Sequence, residues 1–261
     1  MSQLANATRE IEQLLRLKPR ALGVKFCADA GELDKVEGLK RPKHPACLCQ
    51  FFGIARIAGK TIGCAAADVA GGMPETFGNC ASIFGLAEPN DFIYSGQMMA
   101  GGGYATLEDA RGEQLAIKRL PAGSCEAVIL SPAAEDKIEP DVVAFYGTPG
   151  QIMQLMNGLQ WSNYEPVSMR FVGESSCSDG FIECYLTGKP AGTVPCMGER
   201  QRGGCDDSEM LLCVPPALVP SALEGIKAWN HVGTAYPVLP FGTQCDPSTP
   251  AAVNVYAALE D

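Results

Sequence analysis

The sequence predicts an α/β (or α+β) protein: a mixed sheet flanked by helices, in a single compact domain of two packed halves. Three observations carry this. Apolar stripes at helical spacing alternate along the chain with short apolar runs at strand spacing. Residues 126–131 and 141–146 are nearly all apolar, without in-and-out alternation, as strands covered on both faces are. These two are expected to be neighbours in one buried sheet. Finally, 261 residues that are 46% apolar and 19% charged can bury a large core without covalent staples.

Each element has its own local reason. Leu4, Ala7, Ile11, Leu14 and Leu15 recur at helical spacing until Pro19 stops the helix. Residues 21–26 read as a strand, and the charged, proline-containing 31–45 as a loop. Residues 46–58 read as a helix that begins at the first cysteine pair, and 61–67 as a strand. Gly71-Gly72-Met73-Pro74 predicts a turn. A helix over 75–86 would place Cys80 and Phe84 on one face. Gly101-Gly102-Gly103 lacks the spacing of a phosphate-binding loop and predicts a turn. After the two buried strands, 151–159 reads as an amphipathic helix, 169–172 and 210–214 as strands, and 216–229 as a helix opened by proline. There is no repeat of fixed period. The whole chain, 1–261, reads as one domain with a soft internal boundary near 111–123.

Thirty acidic residues against twenty basic ones give a net charge of −10, which argues against nucleic-acid binding. No run approaches the length of a membrane span, and the N-terminus lacks the charged-then-apolar order of a secretory signal. A cytoplasmic location is expected. In that reducing setting, twelve cysteines beside only two histidines point to metal binding or thiol chemistry more than to disulfides.

The cysteines do not form the paired knuckles of a zinc ribbon or the run of a bacterial ferredoxin. They suit ligands drawn from separate loops. Cys47 and Cys49 would diverge by about 200° inside a regular helix, so that only one could face a given metal; at a loop-to-helix junction both could. Cys27, Cys125 and Cys213 sit in apolar strand contexts and read as core. Cys205 lies in a polar loop, where packing gives no reason for it. The stretch from Cys196 to Cys205 holds Arg200 and Arg202. It reads either as a thiolate beside arginines or as a solvated loop with an ion-paired arginine. His44 and His231 stand alone and read as solvated. Of Asp179, Glu199, Asp206, Asp207 and Glu209, most read as solvated. Asp179, two residues after Cys177, is the candidate acid–base group.

Several segments together resemble a family known as domain of unknown function 169. Cys49-Gln-Phe-Phe-Gly-Ile-Ala55-Arg56 followed by Gly59 carries the first match, and Cys80 followed by Gly85-Leu86 the second. Pro140-Asp141 and then Pro149-Gly-Gln151 form the third. Ser176-Cys177-Ser-Asp179, Gly188-Lys-Pro190, Cys196-Met-Gly198-Glu-Arg200 and Glu209 complete it. The resemblance runs from about Leu14 to Trp229 and implies no established activity. It isolates Cys49, Cys80, Cys177 and Cys196, and four thiolates is the number a [4Fe–4S] cluster takes. Cys47, Cys64 and Cys205 are the named replacements.

The expected function is an iron–sulfur redox protein or enzyme of anaerobic metabolism, an oxidoreductase or lyase if an enzyme. Arg200, with Arg56 in support, is expected to line an anion pocket beside the cluster and Asp179 to serve the chemistry. A small anionic molecule or a redox protein would be the partner, and a homo-oligomer is allowed. The alternatives are a metal-free thiol sensor or sulfur- or metal-carrying maturation factor, and a structural thiolate-zinc protein.

Overall fold

The computed structural model of the chain describes residues 1–69 and 74–238. The turn expected at 71–73 and Cys245 lie outside them. The helices are α1 (Gln3–Leu14), α2 (Leu48–Arg56), α3 (Pro74–Ile83), α4 (Asp91–Tyr94), α5 (Leu107–Ala116), α6 (Pro149–Gln160), α7 (Glu183–Thr187), α8 (Met197–Gly203) and α9 (Val219–His231). The strands are β1 (Leu22–Cys27), β2 (Ile62–Ala65), β3 (Ala127–Pro132), β4 (Val142–Gly147), β5 (Ser168–Met169), β6 (Ala191–Thr193) and β7 (Met210–Val214). They make one mixed sheet in the order β2-β3-β1-β4-β7-β6-β5, in which, among the described residues, β5 and β6 pair in parallel and the other neighbours antiparallel. The fold is therefore α/β in a single compact domain. No helix among the described residues is long and apolar enough to cross a membrane.

The two buried strands, β3 and β4, are not neighbours. β1 lies between them, pairing Val24 with Leu130 on one side and with Val142 on the other. Their apolar runs predicted burial on both faces, which holds, but adjacency along the chain carries no information about a strand that arrives from upstream. Strands from both sides of the soft boundary near 111–123 are interleaved in this sheet.

The strand period of two divides the core. Leu22, Val24, Val142, Ala144, Tyr146, Leu211 and Cys213 point to one face, where they meet α2 and the end of α3. Val143, Phe145, Leu212 and Val214 point to the other, against α1, α6 and α9. The Pro149-Gly-Gln151 segment is explained here. Pro149 starts α6, and Gln151 accepts from the Thr148 N–H at 2.7 Å while donating to the Leu15 carbonyl at 2.8 Å. It thereby ties α6 to the end of α1.

Cys27, Cys125 and Cys213 are buried, as expected for core residues. Burial pushes the Cys27 thiol up to about 12 and the Cys125 thiol up to about 11. Cys184, behind the π-helical turn 178–182, is likewise pushed up to about 12 by burial. An ordinary thiol ionises near pH ~8.5. These groups therefore hold their protons more tightly folded than unfolded. Their contribution to stability is whole below pH ~8.5 and is lost as pH rises through the folded values. Denaturant midpoints measured across the alkaline range are expected to fall in that window. A Cys27→Ala/Cys184→Ala variant should show a shallower fall; an identical slope would assign the alkaline loss to other groups.

Candidate functional site

Three phenylalanines hold the site together. Phe52, Phe84 and Phe181 form a packed triangle, with centroids 5.0 Å apart for Phe52–Phe181 and 6.0 Å for the other two pairs. Each follows a cysteine by about one helical turn: Cys49 by three residues, Cys80 by four and Cys177 by four. Residues so spaced lie on the same side of a helix. The Phe84 N–H donates to the Cys80 carbonyl at 3.1 Å, which keeps that turn helical past the end of α3. Stacking the three rings in the core therefore draws the three sulfurs together one turn away, from α2, α3 and the start of the π-helical turn.

Cys196 comes in from α8. Helices α2 and α8 meet backbone to backbone. A methyl group on Gly53 would stand 2.8 Å from the Gly203 carbonyl oxygen, and one on Gly203 would stand 2.9 Å from that of Cys49. Only glycine allows so close an approach. On the next turn of α8, a methyl group on Gly198 would touch the Cys49 and Cys196 sulfurs at 3.6 and 3.7 Å. Gly198 thus leaves open the space between two sulfurs.

The result is a cavity of about 540 Å³ lined by Cys47, Cys49, Cys80, Cys177 and Cys196. Met98, Met99, Gly102 and Gly103 supply part of its wall, and Asn79, Glu174, Gln201 and Arg202 its polar part. Cys47 is the N-cap of α2, its N–H donating to the Gln50 side chain at 3.1 Å. The loop-to-helix junction is the arrangement that lets Cys47 and Cys49 both face inward. Cys196 is the N-cap of α8. Thiolates at helix N-termini gain from the exposed N–H groups there.

The sulfurs interact in a chain. Hydrogen bonds from Cys177 and Cys49 hold the Cys80 thiol well below the ordinary thiol range, and the bond from Cys49 brings Cys47 down to about 7. In return, Cys49 is raised by Cys47 and Cys80, and Cys177 by Cys80. Cys196 is raised by burial and by Glu199. Arg202 adds to the lowering of both Cys47 and Cys80. The eleven described cysteines are all free thiols. Among the described residues no group of three or more His, Cys, Asp or Glu side chains is arranged to hold a metal ion.

The other candidates lie elsewhere. Arg200 does not line the cavity. Its guanidinium donates to the Pro195 carbonyl at 3.0 Å and the Asp206 carbonyl at 2.8 Å, and so clasps the loops on either side of α8. Two residues further round the helix, it is Arg202 that reaches the cavity wall. Asp179 is buried away from the cavity, accepting from the Val172 N–H at 2.6 Å and pairing with Arg170 at 3.5 Å. Of the replacements, only Cys47 reaches the cavity. Cys64 is a core residue of β2, and Cys205 takes a hydrogen bond from Arg56 at 3.1 Å. His44 and His231 are exposed, as expected.

A buried network beneath the cysteines was not anticipated. Glu199, read from the sequence as solvated, is 1% exposed and accepts from the Tyr146 hydroxyl at 2.5 Å and the Ser176 hydroxyl at 2.6 Å. Ser176 in turn accepts from the Cys196 N–H at 3.1 Å. The Arg56 guanidinium lies 3.7 Å from the centre of the Tyr146 ring and pairs with Glu209 at 3.2 Å. Residues that were separate fragments along the chain, Arg56, Ser176, Glu199 and Glu209, are here one connected unit behind Cys196. A model of the DUF169 family, described as uncharacterised ArCR, matches residues 10–225. The chain belongs to this family. No curated protein and no solved structure matches it. The cysteine cavity, the aromatic triangle and the buried network of this DUF169 protein all fall within the matched residues.

Proposed function

We propose that this DUF169 protein binds an iron–sulfur cluster of the [4Fe–4S] type through Cys49, Cys80, Cys177 and Cys196, with Cys47 as a fifth thiol beside it. The observation that carries the reading is the gathering of five cysteines, from four separate segments, around one cavity of about 540 Å³. An all-sulfur donor set suits iron–sulfur clusters, and a cluster takes four thiolates. Such a cluster supplies either electron transfer or a Lewis-acidic iron. The chain's part is to hold it dry against the phenylalanine triangle and to set its charge environment. Arg202 and Gln201 would offer donors to a small anion at the mouth. A redox role in a reducing, cytoplasmic setting follows from the same reading, with an oxidoreductase or lyase activity as its enzymatic form.

Anaerobic purification or reconstitution, followed by iron and acid-labile sulfide analysis, tests this. About four irons and four sulfides per chain, with the broad visible absorption of such clusters, are expected. Colourless protein with stoichiometric zinc would replace the reading with a structural thiolate-zinc site.

Gly198→Ala gives a second, independent check. The added methyl meets the two sulfurs at ordinary contact distance, so the fold should persist with an unchanged melting temperature. It fills the space between Cys49 and Cys196, so iron loading should drop several-fold. Full loading would place the cluster away from this pair.

A metal-free thiol protein is the second reading, and the hydrogen-bonded sulfur chain favours it. In that case Cys47 and Cys80 should alkylate first at neutral pH, ahead of Cys49 and Cys177, in protein that holds no metal.

A further inference from the structure

We infer that the carboxylate of Glu199, held on the buried path Arg56–Tyr146–Glu199–Ser176–Cys196, is the positioning residue and fixed charge that sets the reduction potential of the cluster site. This deepens the reading above and rests on it. Both carboxylate oxygens of Glu199 are acceptors. One takes the Tyr146 hydroxyl at 2.5 Å and the other the Ser176 hydroxyl at 2.6 Å. The Ser176 oxygen is itself the acceptor for the Cys196 N–H. The two hydroxyl donors and Arg56 favour the charged form, against the burial that raises the carboxyl's pKa. Its negative charge stands in a site from which water is excluded, where Glu199, Ser176 and Tyr146 are each 2% exposed or less.

Arg56, which favours the charged form of Glu199, is stacked on the Tyr146 ring and also serves Glu209 and Cys205. The sign of the consequence follows. Adding an electron to a cluster near a buried anion is disfavoured, so Glu199 lowers the potential and Arg56 raises it. Net charge, burial and hydrogen bonding are the protein's levers on cluster potential, and partners of the ligands orient them. The path also explains why a fully buried glutamate sits three residues after a ligand. It fixes the Cys196 backbone through Ser176, and the Ser176 side chain and the Glu199 backbone N–H also reach the Cys196 sulfur.

The test compares wild type, Glu199→Gln and Glu199→Asp after cluster reconstitution, reading iron content and the one-electron midpoint potential at an electrode. Glutamine matches the shape of glutamate and can still accept from Tyr146 while donating to Ser176. Glu199→Gln is expected to load iron normally and shift the potential upward. Glu199→Asp keeps the charge and should remain near the wild-type potential. An unshifted or lowered potential in loaded Glu199→Gln overturns the inference. So does loss of iron from folded Glu199→Gln, because the carboxylate would then build the site and not tune it. Equal shifts in the Gln and Asp variants also overturn it, since geometry and not charge would be responsible. Should Glu199→Gln fail to fold, Arg56→Gln decides: a downward shift supports the inference and any other result overturns it. Wild-type protein without iron and sulfide would refute the cluster reading itself, an outcome distinct from a loaded protein with unshifted potentials.

Discussion

If Cys177 holds the proposed cluster, Cys177→Ser is expected to empty the site. The sulfur is buried, hydrogen-bonded to Cys80, and one turn from Phe181 in the aromatic triangle. Serine keeps nearly the same shape and offers a harder, poorly ionised donor. Iron and sulfide should fall to background, while the chain folds with a loss of no more than about 1–3 kcal/mol, the cost of a buried hydroxyl with an imperfect partner. The contrasting variant is Cys184→Ser. That thiol is also buried, seven residues away, but takes no part in the cavity. It should show the same order of stability loss and full iron content. Equal iron loss in the two variants would mean that serine disturbs the π-helical turn as a whole, and Cys177 would not be singled out as a ligand.

Arg56→Met is expected to produce the largest loss of stability. Arg56 is 1% exposed, stacked on Tyr146, paired with Glu209 at 3.2 Å and donating to Cys205 at 3.1 Å. Methionine fills much of the volume and removes the charge. The Glu199 and Glu209 carboxylates would then face each other's field without a cation. Removing one partner of a buried pair costs about 3–5 kcal/mol, chiefly because the other charge is left uncompensated. An unfolding free energy from denaturant titration lowered by that amount is the expected result. Arg56→Lys should lose less, since the charge remains and only the fork is gone. The companion variant Arg56→Met/Glu209→Gln should recover part of the loss. No recovery would show that stacking on Tyr146, and not the ion pair, is the larger contribution.

The comparison of sequence with structure turns on particular residues. Helices α1, α2, α6 and α9, and strands β1, β3, β4 and β7, were readable because their apolar spacing is local and strong. The burial of Cys27, Cys125 and Cys213 followed from their apolar neighbours. The family resemblance picked out Cys49, Cys80, Cys177 and Cys196, which do line one cavity. A further signal was available and not used: Cys49, Cys80 and Cys177 each precede a phenylalanine by three or four residues. These pairs mark three helical turns with sulfur above and an aromatic ring below.

What the tertiary structure alone decided has one common cause, the direction in which a side chain leaves its helix and what arrives opposite it. Arg200 and Arg202 are two residues apart, about 200° around a helix. Which one turns to the cavity depended on how α8 lies on α2, and that is governed by the contact of Gly53 with Gly203. Glu199 read as solvated because it sits between a glycine and two arginines, yet it is covered by Tyr146 from β4, fifty-three residues upstream. Strand order was equally hidden, since β1 enters between β3 and β4 from a hundred residues away. Local spacing determined which elements form and which faces they bury. Long-range packing determined which polar groups those buried faces enclose, because the cost of burying a charge is met only by partners that the fold brings from elsewhere in the chain.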